Sequence, residues 1–378
     1  MNNSIILCGD LCPTDDTEAF FKAEDQHALF SDCLPLFKSA GLTAGNLEFV
    51  LTDDPQPIMK SGPILYGPTT HINVLKKAGI DIFSLANNHI KDCGEAGVKS
   101  TIATSADAHI ETFGAAHNLQ AAKKPFIGEV GGKKIGFLAF AEQEFNTAGA
   151  DEYGSSFFDP FEDLDLIEKT RKSVDYLIVI YHGGIEYYEY PSPMLQKKCR
   201  RFVDKGADLV TCQHSHCIGT IENYNSKDIV YGQGNTLFGY RDGNDSWNEG
   251  IIIQLNLDGK DLKIDYLGVK ARKEGGIRLM NDRENETLTE KLEKRSRQIK
   301  DAGFIQQSWQ AFCKRKESLY LPQYLALNRY FIHLNRWTRN RFISLFYGRK
   351  YLRSSHNIMR CEAHNEVIQT LLQLKTKD

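Results

Sequence analysis

One local pattern recurs along this chain and narrows what it can fold into. A helix-like stretch stops at a glycine, a short apolar run follows, and polar residues stand at the end of that run. The instances are KSAGLTAGNLE, KKAGIDIFSLANNH and DKGADLVTCQHSH. Gly41, Gly79 and Gly206 suit the left-handed position just past a helix end. Helix followed by strand, repeated, predicts βαβ units and a mainly parallel sheet. In open α/β sheets ligands bind outside the carboxyl ends of strands. The first apolar run, residues 4–8, leads into Asp10, and the run 175–181 leads into His182. Five strand ends therefore deliver Asp, Asn/Glu, Asn/His, His and His-x-His toward one region.

The wider alternation supports that frame. Strands are expected at 4–8, 42–44, 81–86, 175–181 and 208–212, and helices over 27–40, 70–78, 161–173 and 193–205. Residues 126–130 and 134–140, joined through Gly131-Gly132, predict a hairpin. Further strands are expected at 228–231, 250–257 and 262–269, so the reading is a mixed α/β sandwich. Composition shifts near 273–285, which divides the chain into an α/β domain over 1–272 and a helical, basic and aromatic region over 286–378. In the latter, Tyr324, Leu327, Phe331 and Leu334 fall at helical spacing, with Arg329, Arg336, Arg339 and Arg341 close by. A helix of that kind can lie on an anionic membrane surface. The plainer alternative is that its apolar face packs on the α/β domain.

The strand-end residues carry the chemistry. Asp10 and Glu48 are hard oxygen donors, neutral imidazoles of His182, His214 and His216 suit Zn, Mn or Fe, and the Asn88 carbonyl can complete a shell. In extended backbone His214 and His216 point to the same side, where they bind one ion or reach two. Taken singly, each residue has a plainer reading. An Asp after a strand is a turn residue, Asn87-Asn88 tolerates left-handed geometry, and Glu48 can cap a helix or pair with a lysine. Convergence at strand ends of one sheet selects the metal reading. His71, His109 and His117 lack such partners and are expected to serve packing or the surface.

The run HGGIEYYEYPSPMLQKKCRRFVDKGADLVTCQHSHCIGTIENYNSKDIVYGQGN resembles the CapA (poly-γ-glutamate synthesis) family. The upstream pieces Gly9-Asp10, Gly45 to Glu48 and Ala86 to His89 match it as well, so the resemblance spans about residues 4–270. It implies a four-layer α/β/β/α metallophosphoesterase-like sandwich, similar in fold to calcineurin-like enzymes, here followed by a C-terminal helical extension. It further implies two divalent metal ions held by Asp10, Glu48, Asn88, His182, His214 and His216. His89 is the implied proton donor to the leaving group, and Glu186 and Asn235 are implied substrate-binding positions. Three departures stand out. The first motif reads Asp10-Leu11-Cys12 where such phosphoesterases have Asp-x-His, Glu48 replaces a bridging Asp, and Gln213 replaces a Gly. Cys12 either completes a metal position or is a buried, idle thiol.

Two functions follow as expectations: a metal-dependent phosphoesterase-like hydrolase in capsule or anionic-polymer biosynthesis, or a non-hydrolytic accessory protein that binds the polymer or its carrier. The partners are a phosphoester or anionic polymer substrate and, through the C-terminal region, a membrane surface. A net charge of −3 gives no global pull toward nucleic acid. No run approaches the roughly 18 apolar residues of a membrane span, and the N-terminus lacks the marks of a secretory signal. Nine scattered cysteines without a CxxC pair predict reduced thiols. Together these features predict a cytoplasmic protein, peripheral at the membrane.

Overall fold

The computed structural model describes residues 3–60, 62–257, 262–324, 328–339 and 341–360, with residues 364, 365, 367, 368 and 372 beyond. The first strand, Ser4–Leu11, is buried along its whole length. Its side chains alternate between two cores, as a side-chain period of two requires. Ile5 and Leu7 pack with Ile135, Phe137, Ile178 and Ile180, whereas Ile6 and Cys8 pack with Phe21, Phe30, Phe37 and Leu75. The strand Tyr176–His182 does the same in the second sheet. Ile178 and Ile180 face the inner core, and Leu177, Val179 and Tyr181 meet Ile167, Cys199 and Phe202 of flanking helices. Helices, sheet, sheet and helices therefore stack as the expected α/β/β/α sandwich.

The first sheet has eight strands. Leu42–Leu47, Ile82–Ser84 and Glu111–Phe113 extend Ser4–Leu11 in parallel, and Glu249–Asn256, Lys263–Ala271 and Ile277–Leu279 continue it antiparallel on the other side. Asn235–Leu237 pairs parallel with the end of the first strand, with Asn235 opposite Asp10. The second sheet has six strands. Lys133–Ala141, Tyr176–His182, Leu209–Gln213 and Lys227–Val230 run parallel at its centre. Its edge includes the expected hairpin, Phe126–Val130 with Lys133–Ala141. Gly131 and Gly132 both take positive φ, 57° and 73°, as a two-residue hairpin turn requires.

Gly79 and Gly206 occupy the left-handed position after their helices, with φ of 96° and 111°. Gly41 does not. The preceding helix, Leu34–Ser39, ends on extended Ala40, and the Gly41 N–H goes straight to the Ser4 carbonyl at 2.8 Å. The helix expected over 27–40 is also broken, into Gln26–Phe30 and Leu34–Ser39 around a 3-10 turn. Pro35 explains the restart, because proline is tolerated in a first helical turn but not inside a helix. The helix Gly94–Asp107, absent from the sequence reading, follows the Asn-His loop. Its Gly97 lies so close to Val50 that a Cβ would stand 2.8 Å from Cγ1.

The chain divides into compact units Met1–Gln306 and Gln307–Asp378. The composition shift at 273–285 thus falls inside the first unit, where the helix Asp282–Gln298 contributes Leu288 and Leu292 to the inner core. In the second unit the helices Arg329–Trp337, Arg341–Phe346 and Arg349–Arg360 follow one another. Asn328 caps the first of these, accepting from the N–H groups of Tyr330 and Phe331 at 3.1 and 3.2 Å. Tyr324 ends an earlier helix, Ala302–Tyr324, so it does not share one helix with Phe331 and Leu334. Leu327 lies outside the described residues. The eight described cysteines are free thiols, Cys212 and Cys217 included.

Candidate metal centre

The strand ends bring the predicted donors into one buried cluster. Asp10 stands at the end of the first strand, 1% exposed, and accepts from Asn46 Nδ2 at 2.8 Å and from the His214 N–H at 3.2 Å. His182 Nε2 lies 3.0 Å from Asn88 Oδ1 and 3.6 Å from Glu48 Oε1. His182 Nδ1 faces the Asn46 amide at 3.2 Å. The Asn46 oxygen is itself taken by Asn87, so Asn46 presents its NH2 to both Asp10 and His182. Two sets of donor atoms, each within 4.8 Å of one another, result: Glu48, His182 and His214, and Asp10, Glu48 and His216. Glu48 belongs to both.

His214 and His216 reach the cluster by a route the sequence reading did not foresee. The strand ends at Gln213, and both histidines adopt positive φ, 86° and 49°. They converge through a left-handed turn and not through strand alternation. Such backbone costs on the order of 1–3 kcal/mol per non-glycine residue and is characteristic of functional sites. The Asp10 bond to the His214 N–H and the His216 Nδ1 contact with Asn235 Oδ1, 2.8 Å, hold the turn in place.

Burial governs the electrostatics. It pushes the Glu48 carboxyl well above the usual carboxylate range, and the neighbouring Asp10 adds to the shift. Burial also raises Asp10. It holds His182 well below the ordinary imidazole value, lowers His214 to about 3 and lowers His216. The imidazoles are thus kept neutral, the form that ligates metals. No described hydrogen-bond donor reaches either Glu48 oxygen, nor His214 Nδ1, although all three atoms are buried. A buried carboxylate without donors is expensive, and a divalent cation would supply the missing charge. Oxygen and imidazole donors without paired thiolates fit such an ion.

The remaining predicted residues are placed as follows. His89 lies outside both donor sets. Its Nδ1 is 2.7 Å from Asp92 Oδ2 and 3.3 Å from Lys60 Nζ, and Lys60 forms an ion pair with Asp92. Asn235 is engaged by His216 and by the Trp247 carbonyl, to which it donates at 2.9 Å. Glu186 is exposed, and its charge adds to the upward push on Glu48. Cys12 belongs to neither set. Its thiol is buried, pushed well above the ordinary value by burial, and donates to the Pro13 carbonyl at 3.3 Å. Sequence reasoning did not assign Asn46, Asn87, Asp92 or Lys60. Asn46 and Asn87 sit inside the motifs already singled out, and Asp92 follows His89 by one helical spacing. Lys60 carries no local signal.

The family described as bacterial capsule synthesis protein PGA_cap matches residues 4–240. The capsule biosynthesis protein CapA of Bacillus anthracis is 29% identical over 219 residues, 56% of this chain and 53% of that protein. The PGA biosynthesis protein CapA of Bacillus subtilis (strain 168) is 28% identical over 239 residues, 62% of this chain and 63% of that protein. The chain therefore spans between about half and two thirds of the length of these relatives. Among solved structures, a phosphatase of Mycoplasma pneumoniae is 12% identical, with a TM-score of 0.45 over 76% of this chain and 97% of its own.

Proposed function

The chain belongs to the bacterial capsule synthesis protein PGA_cap family, and from that premise we propose that it is a metal-dependent hydrolase of a phosphoester in capsule or anionic-polymer assembly. The observation that carries the reading is Glu48, a buried carboxylate without hydrogen-bond donors that is shared by two donor sets. Asn88, His182 and His214 would hold one divalent ion, Asp10 and His216 the other, with Glu48 between; Mn, Fe and Zn suit these donors. Such ions supply Lewis acidity to a phosphoryl oxygen and make a water more acidic. The side chains do the rest. Asp92 engages His89 Nδ1, which leaves Nε2 to give a proton to the leaving oxygen. Lys60 neutralises Asp92 and so keeps that carboxylate oriented. Glu186 and Asn235 flank the site as substrate-side positions, Asn235 acting by orienting His216.

The test is metal analysis of the purified protein together with turnover of bis(p-nitrophenyl) phosphate. Bound metal with turnover supports the hydrolase. Bound metal with no turnover on any phosphoester favours the second reading, an accessory protein that holds the polymer or its carrier. That reading draws support from Cys12, whose buried thiol stands where phosphoesterases of this type carry an imidazole.

The second unit supports a separate proposal, contact with an anionic membrane surface. Trp337 is 81% and Leu345 79% exposed, and Tyr330, Phe346 and Tyr351 are exposed as well. Lysines and arginines dominate the charge of residues 313–360, with Glu317 as the acidic exception. Exposed aromatics with basic neighbours match the headgroup region of an anionic bilayer. Among the described residues no helix is long and apolar enough to cross a membrane.

A further inference from the structure

The loop after the strand Asn235–Leu237 builds a second feature beside His216. Gly239 turns it with φ of 70°, and the Gly239 carbonyl accepts from Trp247 Nε1 at 3.2 Å. Asn248, buried, clamps the backbone of Arg241 from both sides. Its Oδ1 accepts from the Arg241 N–H at 2.8 Å and its Nδ2 donates to the Arg241 carbonyl at 2.8 Å. The backbone of Arg241 is therefore fixed while its side chain is exposed.

That side chain is fixed as well. The guanidinium carbon lies 3.1 Å from the centroid of the Trp247 ring, and Nη1 donates to the Tyr187 hydroxyl at 3.2 Å. Tyr187 stacks on Trp247 with ring centroids 6.2 Å apart. Its backbone, at φ of 60°, donates to the Ser215 carbonyl between the two cluster histidines at 2.8 Å. Trp247 is buried, and its ring centroid is 4.8 Å from that of His216.

Arg241 has no counter-ion among the described residues. Lys60 is paired with Asp92 and Arg295 with Glu189. Among the described residues no carboxylate lies within ion-pair distance of the Arg241 guanidinium, which donates to the Tyr187 hydroxyl. A guanidinium stacked on an indole keeps its in-plane N–H fork open for a bidentate oxyanion, at little cost in side-chain freedom.

We propose that Arg241, mounted on Trp247 beside His216, binds an oxyanion of the substrate. The shared chemistry is a planar pair of oxygens, which either a phosphate group or a carboxylate of the polymer presents. The proposal rests on the reading of the His216 cluster as the substrate site, and it deepens that reading by naming the group that recognises the substrate's anion. Arg241 does not hold metal, and no chemical step is assigned to it.

The experiment uses the full chain loaded with Mn. Binding of inorganic phosphate and of a γ-linked glutamate oligomer is measured by calorimetry on the parent, Arg241→Met and Arg241→Lys. Arg241→Met keeps an apolar cover on Trp247 and removes the charge. Affinity should fall about 10–100-fold for at least one ligand in Arg241→Met, the loss of one charge-assisted pair, with partial recovery in Arg241→Lys. Loss for phosphate alone assigns the site to phosphoryl oxygens, and loss for the oligomer alone assigns it to carboxylates. Metal content and thermal unfolding should match the parent. Equal affinities in parent and Arg241→Met overturn the proposal, as does failure of the parent to bind either ligand. A drop in metal content in Arg241→Met also overturns it, because Arg241 would then act by supporting His216. Binding that depends on Arg241 in a protein that hydrolyses nothing leaves this proposal standing and removes the hydrolase.

Discussion

Asp10, Glu48 and His182 have side chains at most 1% exposed, whereas in the second unit Trp337 is 81% exposed. The first region buries polar atoms that the protein does not satisfy. The second exposes apolar rings that the described chain does not cover. Each arrangement is costly alone, the first through desolvation and the second through apolar hydration. Each therefore points to something from outside the chain, of opposite character. On the proposed reading the cluster takes a divalent cation and the helices an anionic membrane surface. Arginine separates the two as well, since Arg241 is pinned by an indole and two backbone bonds while the arginines of the second unit flank exposed rings.

The largest expected effect comes from His214→Ala. It removes an imidazole that a cation would use, so metal occupancy measured by mass spectrometry should fall by at least half and turnover should vanish. Full metal in this variant would break the ligand side of the comparison. His89→Ala comes next. It should keep the metal and lower hydrolysis about 10²–10⁴-fold, less for nitrophenol esters, whose leaving group needs little protonation. If it strips metal as thoroughly as His214→Ala, His89 is a ligand and the assignment is wrong.

A smaller effect is expected in the second unit. Replacing Trp337 and Phe346 together by Ala should weaken binding of the full chain to phosphatidylglycerol-containing vesicles about 10-fold or more. Added salt should weaken parent binding, through screening of the basic side chains. Sedimentation that is equal with neutral and anionic vesicles, or absent with both, would sink the membrane proposal. The smallest effect belongs to a structural cap that is part of neither feature. The Arg278 guanidinium, with bonds of 2.7 Å to both oxygens, draws the Glu284 carboxyl down to about 2. Glu284 also closes a capping box with Asn281. A depressed carboxylate stabilises the fold above its unfolded range and loses that contribution as pH falls from about 4.5 toward about 2. Glu284→Ala should cost about 1 kcal/mol at neutral pH and less at pH 2, read by chemical denaturation. An equal cost at both pH values would refute it.

Local sequence determined a large part of this protein. Glycine-stopped helices, short apolar runs and polar strand ends are written in adjacent residues, and parallel geometry within each of the two sheets carries that sheet's ends to one side. Asp10, Glu48, Asn88, His89, His182, His214 and His216 could be singled out as candidates for that reason, and the structure gathers Asp10, Glu48, His182, His214 and His216 into the two donor sets. The tertiary structure decided what depends on distant partners. Asn46 orients both Asp10 and His182, which lie 36 and 136 positions away. Lys60 meets His89 and Asp92 from a loop that carries no motif. The His-x-His pair turns through left-handed backbone held by Asp10 and Asn235, a geometry that strand periodicity cannot express. Arg241 and Trp247 read in sequence as ordinary loop residues, and only their stacking beside His216 gives them meaning. Spacing encodes which face a residue occupies, but a buried charge is defined by what surrounds it in space, and that is settled only when the two sheets close on each other.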